Sequence, residues 1–263
     1  MAGVRVIPER LRRRPRRDPD GSMTLIEHLE ELRYRLIIAV VAIAVGSVVG
    51  WVLYDRVADL LLDPYCDYYE TIPLARRTTR ECTLFFSEAL GAVLLKLKLV
   101  GYLGLFIALP VVLYQLWAFV VPGLTKRERR MAIPFVASSV LLFALGALFA
   151  YWSLPKALGF LLGFAGDVAS PLLTGDRFFS FVVLLAFAFG LSFEFPIALV
   201  FLQMAGVIGP TQLRGWRRTA ILLIFVFAAV ITPSGDPYTL LAMAVPMVLF
   251  YEAAIIVGRL MNR

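Results

Sequence analysis

The chain has 263 residues, of which 60% are hydrophobic and only 17% are charged, and it carries a formal net charge of +7. This composition excludes an ordinary soluble globular domain, in which about a quarter of the residues are charged. It predicts an all-α, polytopic membrane protein.

The first 21 residues are rich in Arg, Pro and Asp and contain few apolar side chains. They predict a disordered, basic cytoplasmic tail, because such a segment cannot bury enough apolar surface to fold. From Met23 onward, leucines recur at helical spacing while acids and arginines fill the other faces. This pattern predicts an amphipathic surface helix that runs into the first span. Nucleic-acid binding by the tail is the weaker interpretation, since no aromatic residue interleaves its arginines.

Six apolar runs follow, and they predict a single domain of six transmembrane helices over residues 22–260. The runs are Leu36–Tyr54, Leu99–Thr125, Met131–Pro155, Phe178–Leu213, Thr219–Gly235 and Pro237–Gly258. The fifth and sixth helices are expected to be short, the fifth because only about 16 residues, or roughly 24 Å of helix, precede Pro233. Prolines inside the runs predict kinks and hence a curved, concave bundle.

Orientation follows from the basic residues. Eighteen of the 26 Lys and Arg residues fall in the N-terminal tail, the second and fourth loops and the C-terminus. The positive-inside rule therefore predicts that both termini are cytoplasmic. The first loop, about residues 55–88, becomes an extracytoplasmic cap, in which Pro64 and Pro73 are expected to break any continuous helix.

Both cysteines, Cys66 and Cys82, fall in this predicted cap. An extracytoplasmic compartment permits disulfides. The sequence leaves open whether the two residues form a bridge or remain as unpaired thiols.

Acidic residues inside the apolar runs are candidates for function. Glu194, in FGLSFEFPIAL, is expected in the cytoplasmic half of the fourth span, where a charge is costly. It either works in a wet cavity or is a protonated carboxyl used for packing. Asp236 fits ordinary turn chemistry. Glu252, near the inner end of the last helix, is expected to reach water or a helix-terminal arginine such as Arg259.

Enzymatic constellations are missing from the sequence. The single histidine, His28, excludes paired-His metal sites such as H-E-x-x-H, and no G-x-x-x-x-G-K-[ST] loop is present. We therefore expect no enzymatic activity, metal or cofactor, and interpret His28 as an exposed polar residue of the surface helix. A proton-coupled small-solute transporter that uses Glu194 is the alternative to a protein-binding function.

Two acids stand among cations in segments predicted to be cytoplasmic: Glu31 in HLEELRYRL and Glu128 in LTKRERR. Topology explains the cations but not the acids. Each acid is either one partner of a weak surface ion pair or part of a docking point for a cationic ligand.

Several long stretches, in order along the chain, resemble the TatC family, the polytopic receptor subunit of the twin-arginine protein translocase. They are HLEELRYRL, ALPVVLYQLWAFVVPGLTKRERR, FAYW with Pro155, FGLSFEFPIAL, and ITPSGDP with LLAMAVPM. The resemblance extends from about Met23 to Arg259. It implies transport of folded proteins with twin-arginine signal peptides across the bacterial plasma membrane, driven by the proton gradient. It also implies TatA- and TatB-type single-span partners and a homo-oligomer within a receptor complex.

The resemblance also implies roles for individual residues. The implied signal-peptide site comprises Glu31, Arg33, Arg35, Leu36, Phe119 and Glu128. Contacts with partner helices or the bilayer are implied for Pro64, Tyr151, Glu194, Thr232 and Asp236. One departure concerns the family's polar cluster on the last two helices, where Thr232 matches but a glutamine that often follows the outer turn is replaced near Tyr238. Two carboxylates on one surface suit two adjacent guanidinium groups, each a planar fork of donors.

Overall fold

The computed structural model describes residues 25–71, 82, 84–86, 88, 90–120, 132–163, 173–232 and 235–261. Within these residues the chain forms seven helices. They are α1 (Leu25–Thr71), α2 (Gly91–Val120), α3 (Ala132–Gly163), α4 (Gly175–Met204), α5 (Pro210–Gly215), α6 (Arg217–Ile231) and α7 (Pro237–Met261). The only extended pairing among the described residues is an isolated bridge between Phe85 and Thr174. The all-α prediction is confirmed, and the predicted tail of residues 1–21 lies outside the described residues.

Five of these helices, α1 to α4 and α7, are long and apolar enough to cross a membrane. This confirms a multi-pass membrane protein. Helix α6 has only 15 residues, or about 22 Å of helix, against a hydrocarbon core of about 30 Å. The expectation of a short last helix was wrong, because α7 has 25 residues and continues through Pro246.

Helix α1 is a single element of 47 residues, about 70 Å long. It joins the predicted surface helix, the first span and the first part of the predicted cap. The expectation that Pro64 breaks the helix was therefore wrong. Proline removes the amide that would pair with the carbonyl four residues earlier, that of Leu60. The Tyr151 hydroxyl of α3 donates a hydrogen bond to this carbonyl at 3.0 Å, so the lost bond is replaced from outside the helix.

Helices α1 and α2 run antiparallel and touch through glycines. A Cβ atom built on Gly104 would lie 2.7 Å from the amide nitrogen of Ser47 and 2.8 Å from the carbonyl oxygen of Ile43. A Cβ on Gly46 would lie 2.5 Å from the carbonyl oxygen of Gly104. Small residues at such crossings let helix backbones approach closely, as is common between membrane helices. This crossing fixes the register between the two helices.

Helix α4 lies at the centre of the core. Half of its most apolar stretch is buried, more than in any other described span. Phe189 is fully buried, and its ring packs 5.7 Å from that of Phe149 on α3. On the side facing α7, the Phe193 and Phe250 rings meet edge to face at 4.9 Å. Helix α4 therefore packs against both α3 and α7.

The segment before α2 is tied to two helices. The Phe85 amide donates to the carbonyl of Leu173 at 3.1 Å, and the Gly175 amide donates to the carbonyl of Phe85 at 2.9 Å. Cys66 of α1 and Cys82 form a disulfide with a Cα–Cα distance of 5.5 Å, which decides between the two alternatives that the sequence left open. We call the end of the bundle that contains these contacts the cap end, and the opposite end, with the start of α1, the N-terminal end. The predicted concave shape stays a prediction.

Candidate functional site

At the N-terminal end, the start of α1 meets the end of α2. Nη1 of Arg35 donates to Oε1 of Gln115 at 3.2 Å. Two turns earlier on α1, the His28 imidazole stacks on the Phe119 ring, with centroids 4.4 Å apart and an interplanar angle of 22°. We call these four residues together with Glu31 the α1–α2 patch. The antiparallel register set at the glycine crossing brings them together.

Only one of the two oxygens of the Glu31 carboxylate accepts hydrogen bonds within the described part of the chain. Nε of Arg35 donates to its Oε1 atom at 3.1 Å, and Nη2 of Arg35 donates to the same oxygen. Oε2 is buried and has no hydrogen-bond partner within the described part of the chain. A buried acceptor without a donor costs about 1–3 kcal/mol. The arrangement therefore leaves one carboxylate oxygen of Glu31 able to accept a hydrogen bond from a ligand.

Other residues of the predicted signal-peptide site take different positions. Arg33 is exposed on α1, and Leu36 is exposed over 60% of its surface. Glu128 lies outside the described residues. The structure thus brings Glu31, Arg35 and Phe119 together, with Arg33 and Leu36 on the exposed side of the same helix. The assignment of these five residues and of Glu128 to a binding site stays a prediction.

Sequence reasoning missed two members of the patch, Gln115 and His28. Gln115 is 80 positions from its partner Arg35. It belongs to the stretch ALPVVLYQLWAF, where it is the only side chain that can accept a hydrogen bond besides a tyrosine. His28 was interpreted as an exposed polar residue, but it is half-buried. The position of Gln115, a polar residue in an apolar run, could have marked it as a candidate for a specific contact.

Glu194 belongs to a buried polar chain across three helices. The Trp117 indole of α2 donates to the Ser139 hydroxyl of α3 at 2.9 Å, and Ser139 is completely buried. The Ser139 side chain in turn hydrogen-bonds with the Glu194 carboxyl group of α4. Oε1 of Glu194 is buried with no partner among the residues described. The carboxyl group therefore contributes to helix packing and keeps one free acceptor, so both interpretations of Glu194 stay open.

Asp236 caps α7. Its side chain accepts a hydrogen bond from the Thr239 amide at 2.8 Å and another from the Thr239 hydroxyl at 2.5 Å. Pro237 follows as the first helical residue. An aspartate cap before a proline is a favoured way to begin a helix. Asp236 is only 4% exposed, so the geometry fits the turn interpretation more directly than a contact with a partner.

Thr232 lies at the other side of this turn, as the residue that ends α6. It is buried, and its hydroxyl oxygen has no hydrogen-bond partner within the described ranges. Tyr151 and Pro64 lie at the same end of the bundle and are joined through the Leu60 carbonyl. These three residues are therefore remote from the α1–α2 patch.

Glu252 makes an ion pair that the sequence did not predict. Nη2 of Arg217 donates to Oε2 of Glu252 at 2.5 Å, which links the start of α6 to α7. A helix-terminal arginine was one of the expected partners, but it is Arg217 at the start of α6 and not Arg259 of α7 itself. Beside this pair, the Tyr251 hydroxyl donates to the Leu213 carbonyl at 2.6 Å. Two polar contacts thus hold the α5–α6 region against α7.

Comparison with known proteins supports one family. The family model of the Sec-independent protein translocase protein TatC matches residues 27–246. The TatC protein of Frankia casuarinae is 45% identical over 95% of this chain and 70% of its own length. The TatC protein of Aquifex aeolicus is 44% identical over 92% of this chain and 97% of its own length.

A solved structure agrees with these sequence relatives. The crystal structure of a protein described as the twin-arginine translocase receptor TatC is 41% identical, with a TM-score of 0.72. The match covers 90% of this chain and 100% of that one. The resemblance found in the sequence is confirmed, and the small-solute transporter gains no support. The chain belongs to the TatC family of Sec-independent protein translocase proteins.

Proposed function

We propose that this protein is the receptor subunit of a twin-arginine translocase. It binds the signal peptides of folded proteins through two adjacent arginines and organises their transport across the membrane. The observation that supports this most directly is the buried, unpaired Oε2 atom of Glu31. Its position at an end of the bundle, beside aromatic and amide side chains of α2, suits a cationic peptide that arrives from solution.

The chemistry of the α1–α2 patch favours arginine as the ligand. Arg35 occupies Oε1 of Glu31 with two of its N–H donors. A guanidinium group of the peptide donates to Oε2 in a charge-assisted bond, which is about twice as strong as a neutral one. Gln115 holds a third donor of Arg35, so Arg35 does not turn both of its arms onto the two carboxylate oxygens. Glu128, set among four cations in KRERR, receives the second arginine of the signal.

The orientation follows the distribution of basic residues. The N-terminal end, with the α1–α2 patch, faces the cytoplasm of a bacterium, and both termini lie there. Six helices cross the plasma membrane, α6 as a short fifth span, in a single domain over residues 22–260 that follows a cytoplasmic tail. Eighteen of 26 Lys and Arg residues on one face support this orientation.

Transport requires partners, because this chain supplies no catalytic site in our proposal. We assign the energy to the proton gradient and the partners to single-span TatA- and TatB-type helices, with several receptor copies in one complex. The exposed apolar face of α6, with Val230 at 78% and Leu222 at 64% exposure, suits such a helix. At its end, the unpartnered Thr232 hydroxyl offers a polar contact. Asp236 supports this region by capping the start of α7.

The decisive experiment replaces one carboxylate at a time. Full-length receptor in nanodiscs is titrated with a fluorescent synthetic peptide that contains an Arg-Arg pair. Glu31→Gln is expected to weaken binding at least tenfold, because a hydrogen bond to a charged group contributes about 1.5–3 kcal/mol. The matched control is Glu30→Gln, which removes the same charge from the exposed neighbouring position and should change the affinity less than twofold. Equal affinities for the two variants would reject the proposed site.

A further inference from the structure

The stacked pair of His28 and Phe119 has no role in the proposal so far. His28 precedes Glu31 by three residues on α1, so both side chains lie on the same face of the helix, with Cβ atoms about 5–6 Å apart. The imidazole lies nearly parallel to the Phe119 ring, at 22° and 4.4 Å. It is half-buried, so part of the ring remains open to solvent. A partly open aromatic ring thus lies on the same face of α1 as Glu31, one turn away.

We propose that His28 is a specificity-determining residue, which makes the α1–α2 patch select arginine over lysine. In this arrangement a guanidinium group that donates to Oε2 of Glu31 lies flat against the imidazole, and Phe119 supports the imidazole from behind. The inference deepens the proposed function and depends on it.

The selectivity follows from the shapes of the two cations. Guanidinium is planar, is only weakly hydrated and stacks on aromatic rings, whereas the lysine ammonium is compact and strongly hydrated. Glu31 alone attracts both cations by charge. An adjoining ring surface adds an interaction that a planar cation uses more fully. Phe119 fixes the ring before the ligand arrives, which lowers the entropy lost on binding.

A purely structural role for the stack predicts something else. If His28 only packs α1 against α2, its removal loosens the patch and weakens the binding of any cationic peptide. The ratio of the affinities for arginine and lysine peptides would then stay constant. This ratio is therefore the quantity to measure, since it separates selectivity from folding.

The experiment uses the full chain in nanodiscs and two synthetic signal peptides that differ only in an Arg-Arg or Lys-Lys pair. His28→Leu, which keeps the apolar bulk but removes the aromatic surface, is expected to weaken Arg-Arg binding about fivefold and to leave Lys-Lys binding within twofold. His28→Phe keeps a ring and should keep the wild-type ratio within twofold. An unchanged ratio in His28→Leu, whether both affinities fall or neither does, would overturn the inference.

The outcomes also separate this inference from the proposed function. If the wild type does not bind the Arg-Arg peptide, or if Glu31→Gln binds it as well as the wild type does, the receptor site itself is wrong. If Glu31→Gln loses binding but His28→Leu keeps the wild-type ratio, only the role of His28 is wrong. A lower unfolding temperature of His28→Leu does not blur this result, since a smaller folded fraction reduces the signal for both peptides equally.

Discussion

The two ends of the bundle treat their polar groups differently. At the cap end, the Tyr151 hydroxyl meets the Leu60 carbonyl that Pro64 leaves without a partner. The disulfide between Cys66 and Cys82 ties the end of α1 to the segment that leads into α2. In each case a contact between residues that are apart in the sequence stabilises this end of α1.

The N-terminal half leaves several polar groups incomplete. Within the described ranges, it holds most of the buried side-chain atoms that lack a hydrogen-bond partner, namely those of Glu31, Glu194, Gln203 and Arg217, whereas Thr232 lies at the cap end. Buried polar groups are normally paired, so such exceptions need an explanation. Under the proposed function, the cap end serves stability and the unpaired groups of the N-terminal half serve binding.

The largest expected effect concerns the disulfide. Replacing Cys66 and Cys82 together by Ser should lower the free energy of unfolding by about 3 kcal/mol, because a closed loop of this size restricts the unfolded chain. Affinity for an Arg-Arg peptide should not change, since the bridge lies at the far end of α1. Denaturant unfolding in detergent gives the first quantity, and reductant on the wild type is the control. Weaker peptide binding without loss of stability would contradict the division between the two ends.

An intermediate effect is expected at the crossing of α1 and α2. Gly104→Ala places a methyl group 2.7 Å from the Ser47 amide, so the helices must separate. Overpacking of this kind costs about 1–3 kcal/mol. Because the crossing also sets the register of the α1–α2 patch, peptide affinity should fall together with stability, and measurements of thermal unfolding and of peptide binding check both.

Gly101→Ala is the matched control for this crossing. A Cβ atom at Gly101 has no neighbour within 4 Å. In a helix interior, Ala is favoured over Gly by up to about 1 kcal/mol. The control should therefore be neutral or slightly stabilising. Equal destabilisation by both substitutions would show that the crossing does not hold the helices in register.

The smallest effect is expected at the replaced hydrogen bond of α1. Tyr151→Phe should cost about 1 kcal/mol of stability, because the Leu60 carbonyl loses its donor. In a Pro64→Ala background the backbone amide returns as a donor, so the same change should cost less, and a double-mutant cycle measures the difference. Tyr114→Phe, at an exposed position, is the control and should have no effect. Additive costs in the cycle would contradict the link between Tyr151 and Pro64.

The sequence predicted those features that the membrane itself imposes. A bilayer requires long apolar runs, and these predicted the spans in α1 to α4, the short α6 and the span in α7. It could not predict that α1 continues through Pro64, because the donor that pairs with the Leu60 carbonyl, Tyr151, is 91 residues further along the chain. The same holds for the pairing of Arg217 with Glu252, which depends on how α6 packs against α7.

Within the candidate site, too, some residues could be predicted from the sequence and others could not. Glu31 was found because an acid among arginines is not explained by topology. Gln115 and His28 were not assigned to it, because their roles depend on the antiparallel register of α1 and α2. The sequence of a segment can show that one residue, such as Glu31, is unusual there. Which residues surround it in space depends on how the helices pack.

The unbroken α1 also has a mechanical consequence. Because α1 is continuous, its two ends move together if it tilts about the close contact at Gly46. About 32 Å of helix lie on one side of this point and about 38 Å on the other. A tilt of about 5° at this point would move both tips by about 3 Å in opposite directions, given the rise of an α-helix. Such a change of tilt would therefore displace the α1–α2 patch and the disulfide-bonded end of α1 together.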